Sequence, residues 1–205
     1  MDNRAMYKIS YGLYVLTTKD ENGKDNGCIV NTVSMITDNP KRIAVFVNKA
    51  NYTESVLQKT RAFNVSVLTE SAPFELYKRF GFQSGKNVDK FEGFSCPRSA
   101  NGLYYIKEHA NALISAWVVD AYDYGTHTVF IAEVADCETL SNEPSATYAY
   151  YQANVKPKPQ APAKTEEKTE KWVCSVCGYV HEGPLPEDFV CPWCKHPASD
   201  FEKME

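Results

Sequence analysis

Four cysteines near the end of the chain stand in two pairs, Cys174-Ser-Val-Cys177 and Cys191-Pro-Trp-Cys194, with 13 residues between them. Each Cys-x-x-Cys turn brings two sulfurs to one ion, and two such turns complete a tetrahedron of thiolates. A site of that kind takes zinc or a single iron, and the choice decides the chemistry. Zinc has no redox couple and would make the segment a clip or docking knob. Iron would make it a one-electron carrier, and the remainder of the chain would then be its electron source. The other three cysteines, Cys28, Cys96 and Cys137, are scattered. They read as small buried hydrophobes, neither bridges nor nucleophiles.

The metal segment is too small to fold by packing alone. Residues 171–205 fall below the length at which a hydrophobic core usually suffices, so the ion must hold them together. Upstream, residues 156–170 contain three prolines, four lysines and three glutamates, with no aromatic and no large aliphatic side chain. A stretch of that composition buries nothing and stays extended, spanning about 45 Å at full reach. The chain therefore divides into residues 1–155, a flexible linker at 156–170 and a metal domain at 171–205.

Residues 1–155 alternate apolar and polar positions over short runs rich in β-branched and aromatic residues. The pattern predicts strands at Tyr11–Thr18, Cys28–Ile36, Ile43–Asn48, Phe63–Leu68, Ala112–Tyr122 and Thr128–Cys137. Turns fall at Asp20–Gly27 and at Asp38-Asn39-Pro40. Short helices fit Tyr52–Lys59, capped by Asn51 or Thr53, and Pro73–Phe80. Strands outnumber helices and do not alternate with them, so the expected fold is mainly β, an antiparallel barrel closed or nearly so. No Gly-x-Gly-x-x-Gly is present, so a separate dinucleotide-binding domain is not expected.

Composition narrows the function. Hydrophobic residues make up 43% of the chain and the formal net charge is −4, which suits a packed protein and gives no support to nucleic-acid binding. No apolar run approaches the roughly 20 residues of a membrane-spanning helix. The first residues, Met1-Asp-Asn-Arg-Ala-Met-Tyr7, lack an apolar secretory segment, so a reducing, cytoplasmic location is expected, with no membrane partner. The last 35 residues carry three lysines against six acids, an acidic face for a basic partner.

The residues around the cysteines, Trp172-Val-Cys-Ser-Val-Cys-Gly-Tyr179 and Leu185-Pro-Glu-Asp-Phe-Val-Cys-Pro192, closely resemble rubredoxin, which implies iron. The insert between the pairs is shorter than in free-standing rubredoxins, and Lys195 replaces the usual glycine. The short form looks like rubredoxin modules appended to larger redox enzymes. Residues 1–150 carry an ordered set of segments that resembles the FMN-binding split-barrel flavin reductases. The set includes Asn26–Ser34, Asp38–Pro40, Val47–Thr53, Ala62–Leu68, Arg79–Phe91 and Gly125–Val134. Joined, the two resemble the high-molecular-weight rubredoxins, which pass electrons from NADH to flavodiiron proteins that reduce dioxygen or nitric oxide.

That resemblance implies a split β-barrel and a set of cofactor residues. Asn31, Thr32, Val33 and Ser34 would lie along the flavin ring. Asn48, Lys49, Asn51, Tyr52 and Thr53 would approach the phosphate, Ser84 and Gly85 would sit on a loop near the cofactor, and His127 would stand where a nicotinamide stacks. Thr126 precedes it where relatives often have Asp. Physical chemistry agrees in part, because helix N-termini favour anions and lysine offers a point charge. The expected cofactors are FMN and one iron, with zinc as the alternative, and NADH or NADPH as donor. The expected partners are a protein acceptor such as a flavodiiron protein and, as a homodimer, a second copy of the chain. Two rivals remain open: a free flavin or ferric reductase with a zinc-filled tail, and a non-enzymatic flavin-binding electron carrier.

Overall fold

A computed structural model describes residues 2–157 and 170–204. It divides into two compact units, Met1–Asn154 and Val155–Glu205. Most of the linker expected at 156–170 lies outside the described residues.

The first unit is one seven-stranded sheet, β1 (Tyr14–Lys19), β2 (Asp25–Val30), β3 (Val33–Asp38), β4 (Lys41–Asn48), β5 (Ala62–Leu68), β6 (Ala110–Asp123) and β7 (His127–Thr139). Its order is β2-β1-β5-β6-β7-β4-β3, and every neighbouring pair is antiparallel. The two edges are thus β2 and β3, consecutive in sequence and separated only by Asn31 and Thr32. Two residues bridge about 10 Å at most, so a flat sheet is excluded and the edges must curl together. This is an antiparallel split barrel. Its interior is built from alternate positions of six strands, with Leu16, Cys28, Val30, Val45, Val47, Phe63, Val65, Val118 and Phe130 in one cluster. Leu57, from α1 (Tyr52–Thr60), joins that cluster. α2 (Phe74–Gly81) buries Leu76, Tyr77 and Phe80 and packs on β2.

Several expectations are corrected. The single strand at Cys28–Ile36 is two strands on opposite edges, broken at Asn31–Thr32, because the chain passes there from one edge to the other. The turn at Asp20–Gly27 is shorter, and Asp25, Asn26 and Gly27 belong to β2. Neither Asn51 nor Thr53 caps α1 through its side chain: Asn51 occupies the cap position without such a bond. Thr53 instead accepts from Asn26. Cys28 is buried, but Cys137 is exposed on β7, so it is no core residue.

The second unit is a three-stranded antiparallel sheet, β8 (Lys171–Cys174), β9 (Val180–Glu182) and β10 (Phe201–Lys203), in the order β10-β8-β9. Tyr179, Phe189, Trp193 and Phe201 form its aromatic cluster, with Phe189 and Phe201 edge-on at 5.3 Å. Cys174 and Cys191 are fully buried. Little else fills this interior, as expected for a module closed by an ion.

Candidate functional site

The sulfurs of Cys174, Cys177, Cys191 and Cys194 lie within 4.8 Å of one another. Two cross-pairs, Cys174–Cys194 and Cys177–Cys191, stand at 3.6 and 3.4 Å. A tetrahedron with metal–sulfur bonds of about 2.3 Å has edges of about 3.8 Å, so the donor set fits iron or zinc. The cage is organised by two matching turns. Gly178 N donates to Cys174 O and Lys195 N to Cys191 O, both at 2.9 Å. Cys174 N donates to Tyr179 O and Cys191 N to His196 O, both at 2.8 Å. The N–H of Tyr179 then reaches the Cys177 sulfur and that of His196 the Cys194 sulfur.

Such crowding works against four thiolates at once. Hydrogen bonds from Cys177 and Cys194 drive the Cys174 thiol far below its ordinary range, and the same hydrogen bond to Cys174 pushes Cys177 and Cys194 up. Only a cation lets all four ionise together.

In the barrel, the expected cofactor residues form a connected path. Thr32 O accepts from Phe46 N at 3.2 Å, which sets the Asn31–Thr32 seam two residues from Asn48 along β4. Val33 and Ser34 continue into β3 opposite Val45 and Ala44. Asn48 is paired across the sheet with His127, and Lys49 N donates to Thr126 O at 3.0 Å. The Lys49 amine meets Asp123 Oδ2 at 2.6 Å. That hydrogen bond raises the lysine and lowers the aspartate, so the pair stays ionised until pH falls through the depressed Asp123 value. Thr126 Oγ1 stands 3.0 Å from His127 Nδ1, so a hydroxyl contacts the ring.

Beyond the Asn51 position, Tyr52 and Thr53 open α1, and Tyr52 borders the loop at Gly85. A Cβ on Gly85 would fall 2.0 Å from Asn26 Oδ1 and 3.4 Å from the Tyr52 ring. Asn26, only 2% exposed, donates to Thr53 Oγ1 at 2.8 Å and leaves Oδ1 buried without a protein partner. Lys24 donates to Gly85 O at 3.1 Å, and the Lys86 amine stands 5.7 Å from the Tyr52 ring centre. An uncapped helix start, two nearby lysines, an orphaned acceptor and a glycine with no room for a side chain fit a ligand carrying hydroxyls and a phosphate.

Sequence reasoning missed three contributors. Asn26 read as part of a turn. Asp123 lies 74 residues from the lysine it holds. Lys90, 4% exposed, donates to Gly27 O at 2.8 Å and Phe80 O at 3.0 Å, closing the segment that carries Ser84 and Gly85; burial holds its amine below the usual lysine range. Asn26 and Lys90, each inside a segment already matched to a family, carried a signal that could have been read, whereas Asp123 did not.

Residues 6–158 match the family Flavin reductase like domain, and residues 172–202 match Rubrerythrin, rubredoxin-like domain. The chain belongs to the flavin reductase-like family. Its family fold and its four-thiolate cage together imply a flavin and an iron. The chain is 35% identical, over all of both chains, to the high molecular weight rubredoxin of Moorella thermoacetica. It is 43% identical to the ferric-chelate reductase (NAD(P)H) of Archaeoglobus fulgidus, across 74% of this chain and 89% of the relative. The NADH:FAD oxidoreductase of Streptomyces globisporus C-1027 shares the fold, with a TM-score of 0.64 at 20% identity over 70% of this chain and 84% of the other. As a flavin reductase-like protein with a rubredoxin-like module, the chain is a flavin-dependent oxidoreductase of the electron-transfer kind. No helix among the described residues is long and apolar enough to cross a membrane.

The Gly85 contact yields a direct test. Gly85→Ala should lift the loop off Asn26 and weaken flavin binding about tenfold, since overpacking of this size costs about 1–3 kcal/mol. Adding Asn26→Ala, which vacates the Oδ1 position, should restore part of the affinity. Fluorescence titration with FMN reads both, and an unaltered Gly85→Ala affinity would remove this loop from the site.

Proposed function

We propose that the chain carries electrons from NADH or NADPH, through bound FMN, to one iron held by Cys174, Cys177, Cys191 and Cys194, and on to a protein acceptor such as a flavodiiron protein. The observation that carries this reading is the presence of both redox sites in one chain: a barrel seam suited to a flavin, and a thiolate cage suited to iron. A flavin held there would supply two-electron acceptance and one-electron donation, and an iron in the cage a one-electron couple. The full-length likeness to a high molecular weight rubredoxin supports a rubredoxin-type iron site in the same chain as the flavin site, and the ferric-chelate reductase (NAD(P)H) relative supports a nicotinamide donor.

The residues divide the work by position. Asn31, Thr32, Val33 and Ser34 offer amide, hydroxyl and free strand-edge groups to the flavin ring. Asn48, Lys49, Asn51, Tyr52 and Thr53, with Ser84 and Gly85, hold the phosphate end, where Lys49 is shared with Asp123. His127, beside Asn48, borders the face on which the nicotinamide stacks. No acid–base pair is required, because positioning and the bound groups supply the chemistry. Domains at 1–155 and 171–205 joined by the 156–170 linker would keep the iron at roughly millimolar effective concentration near the flavin.

A homodimer completes the reading. Phe46 and Tyr122 flank the buried Val129 as cross-strand neighbours on β4, β6 and β7. Phe46 is 37% exposed and Tyr122 50%, with Trp117 exposed on the same strand as Tyr122. Exposed apolar side chains of this kind on a sheet suit a second copy of the chain. One other reading has support, a free flavin or ferric reductase with a zinc-filled tail, because the 43% identical relative is a ferric-chelate reductase and four thiolates hold zinc equally well.

Cys177→Ser separates the readings. The relay predicts that NAD(P)H still reduces the flavin while electron delivery to the protein acceptor falls to background; undiminished delivery would defeat the relay. For assembly, Phe46→Lys should convert a dimer into a monomer in light scattering, and a wild-type chain already monomeric at micromolar concentration would remove the dimer.

A further inference from the structure

The two cysteine turns make the same backbone hydrogen bonds, but the residue that follows each second cysteine differs in kind. Aiming the N–H of Tyr179 and of His196 at sulfur requires a left-handed residue just before each. Gly178 takes that position with φ 80° and Lys195 with φ 63°. Glycine adopts it freely, whereas a residue with a Cβ is strained there. Lys195 is exposed, so packing offers no compensation. Its side chain instead folds back over its own turn, and Nζ donates to Pro192 O at 3.2 Å. The ammonium is therefore held on the turn that supplies Cys191 and Cys194, the latter being the least buried of the four ligands.

A second ammonium, that of Lys156, stands over the first cysteine turn and donates to Ser175 O at 3.1 Å, while the other cations of the module are paired. Lys171 pairs with Glu182, Lys203 with Glu170, and His196 with Asp200. Of the three lysines in residues 171–205, Lys195 alone has no carboxylate partner among the described residues. Reduction adds one negative charge to a cage that already carries four thiolates. A fixed positive charge on the adjacent turn stabilises the reduced form more than the oxidised one.

We infer that Lys195 is a tuning residue, whose charge, held on the second cysteine turn, raises the reduction potential of the iron centre. This rests on the iron reading above. Its consequence is that the electron settles on the metal module, ready for transfer outward, more readily than a glycine at 195 would allow.

The test uses the full chain, stripped of metal and reconstituted with ferrous salt, in spectroscopic redox titrations at low and high salt. Lys195→Asn removes the charge and keeps a residue that tolerates the left-handed turn; Lys195→Gly removes charge and strain together; Lys195→Arg keeps the charge. At a fixed poise and low salt, Asn and Gly should each raise the ferric-to-ferrous ratio about two- to sixfold, as expected for loss of one nearby charge. That change should shrink at high salt, and Arg should behave as wild type. Wild-type values in Asn and Gly, or a change confined to Gly or shared by Arg, would assign any effect to turn geometry and overturn the proposal. Metal analysis of the native chain answers the separate question. Zinc there would defeat the iron relay, while the reconstituted titration would still decide the role of Lys195.

Discussion

The connection through Asn31 and Thr32 constrains everything else in the barrel. It joins the two edges of a seven-stranded sheet with two residues, so the sheet can close only by curling until β2 and β3 approach. Strand edges carry unpaired N–H and C=O groups, and a curled sheet gathers both edges on one side. The candidate flavin site is built along the Asn31–Thr32 seam. β4 runs beside it to Asn48, the turn at Lys49–Asn51 leads directly into α1, and β7 brings His127 to the same end. Ion pair and backbone contacts from the β6–β7 connection, through Asp123 and Thr126 to Lys49, hold that end together. On the other side, Lys90 closes the segment that lays Gly85 on Asn26.

The second unit solves the opposite problem. It has too few residues for a core, so four thiolates occupy its centre, and the aromatic cluster packs around them. Two turns with the same hydrogen bonds supply two ligands each, and the N–H groups that follow point at sulfur. Stability and redox function therefore rest on the same atoms: the ion that folds the module is the group that would carry the electron. At the left-handed position of the turns, Gly178 against Lys195, a charge has been added at the expense of backbone ease.

The cysteine cage was legible in the sequence because its chemistry is local: ligands two residues apart on a tight turn declare themselves. β4, β5, α1 and α2 also begin and end within about two residues of their expected positions, since each carries its own apolar period. The break at Asn31–Thr32 was not legible. Cys28–Ile36 reads as one continuous alternating run, and nothing in that period says that its halves belong to opposite edges of a sheet. Asn26, Lys90 and Asp123 escaped for a related reason, since their contacts join residues 27, 63 and 74 positions apart. Such pairings follow from barrel closure and leave no mark on any local window. The expected side-chain cap on α1 failed in the same way: Thr53 is taken by Asn26 from β2, a partner that only the closed barrel brings near.

The central claim is that one chain holds both a flavin that takes electrons from a nicotinamide and an iron that receives them. The most direct measurement is an anaerobic visible spectrum of the purified chain, with metal analysis, before and after stoichiometric NADH, repeated with NADPH. The account predicts flavin and ferric-thiolate bands that bleach together with one of the two donors. Native zinc with bleaching of the flavin alone, or a bound flavin that neither donor reduces, would contradict it.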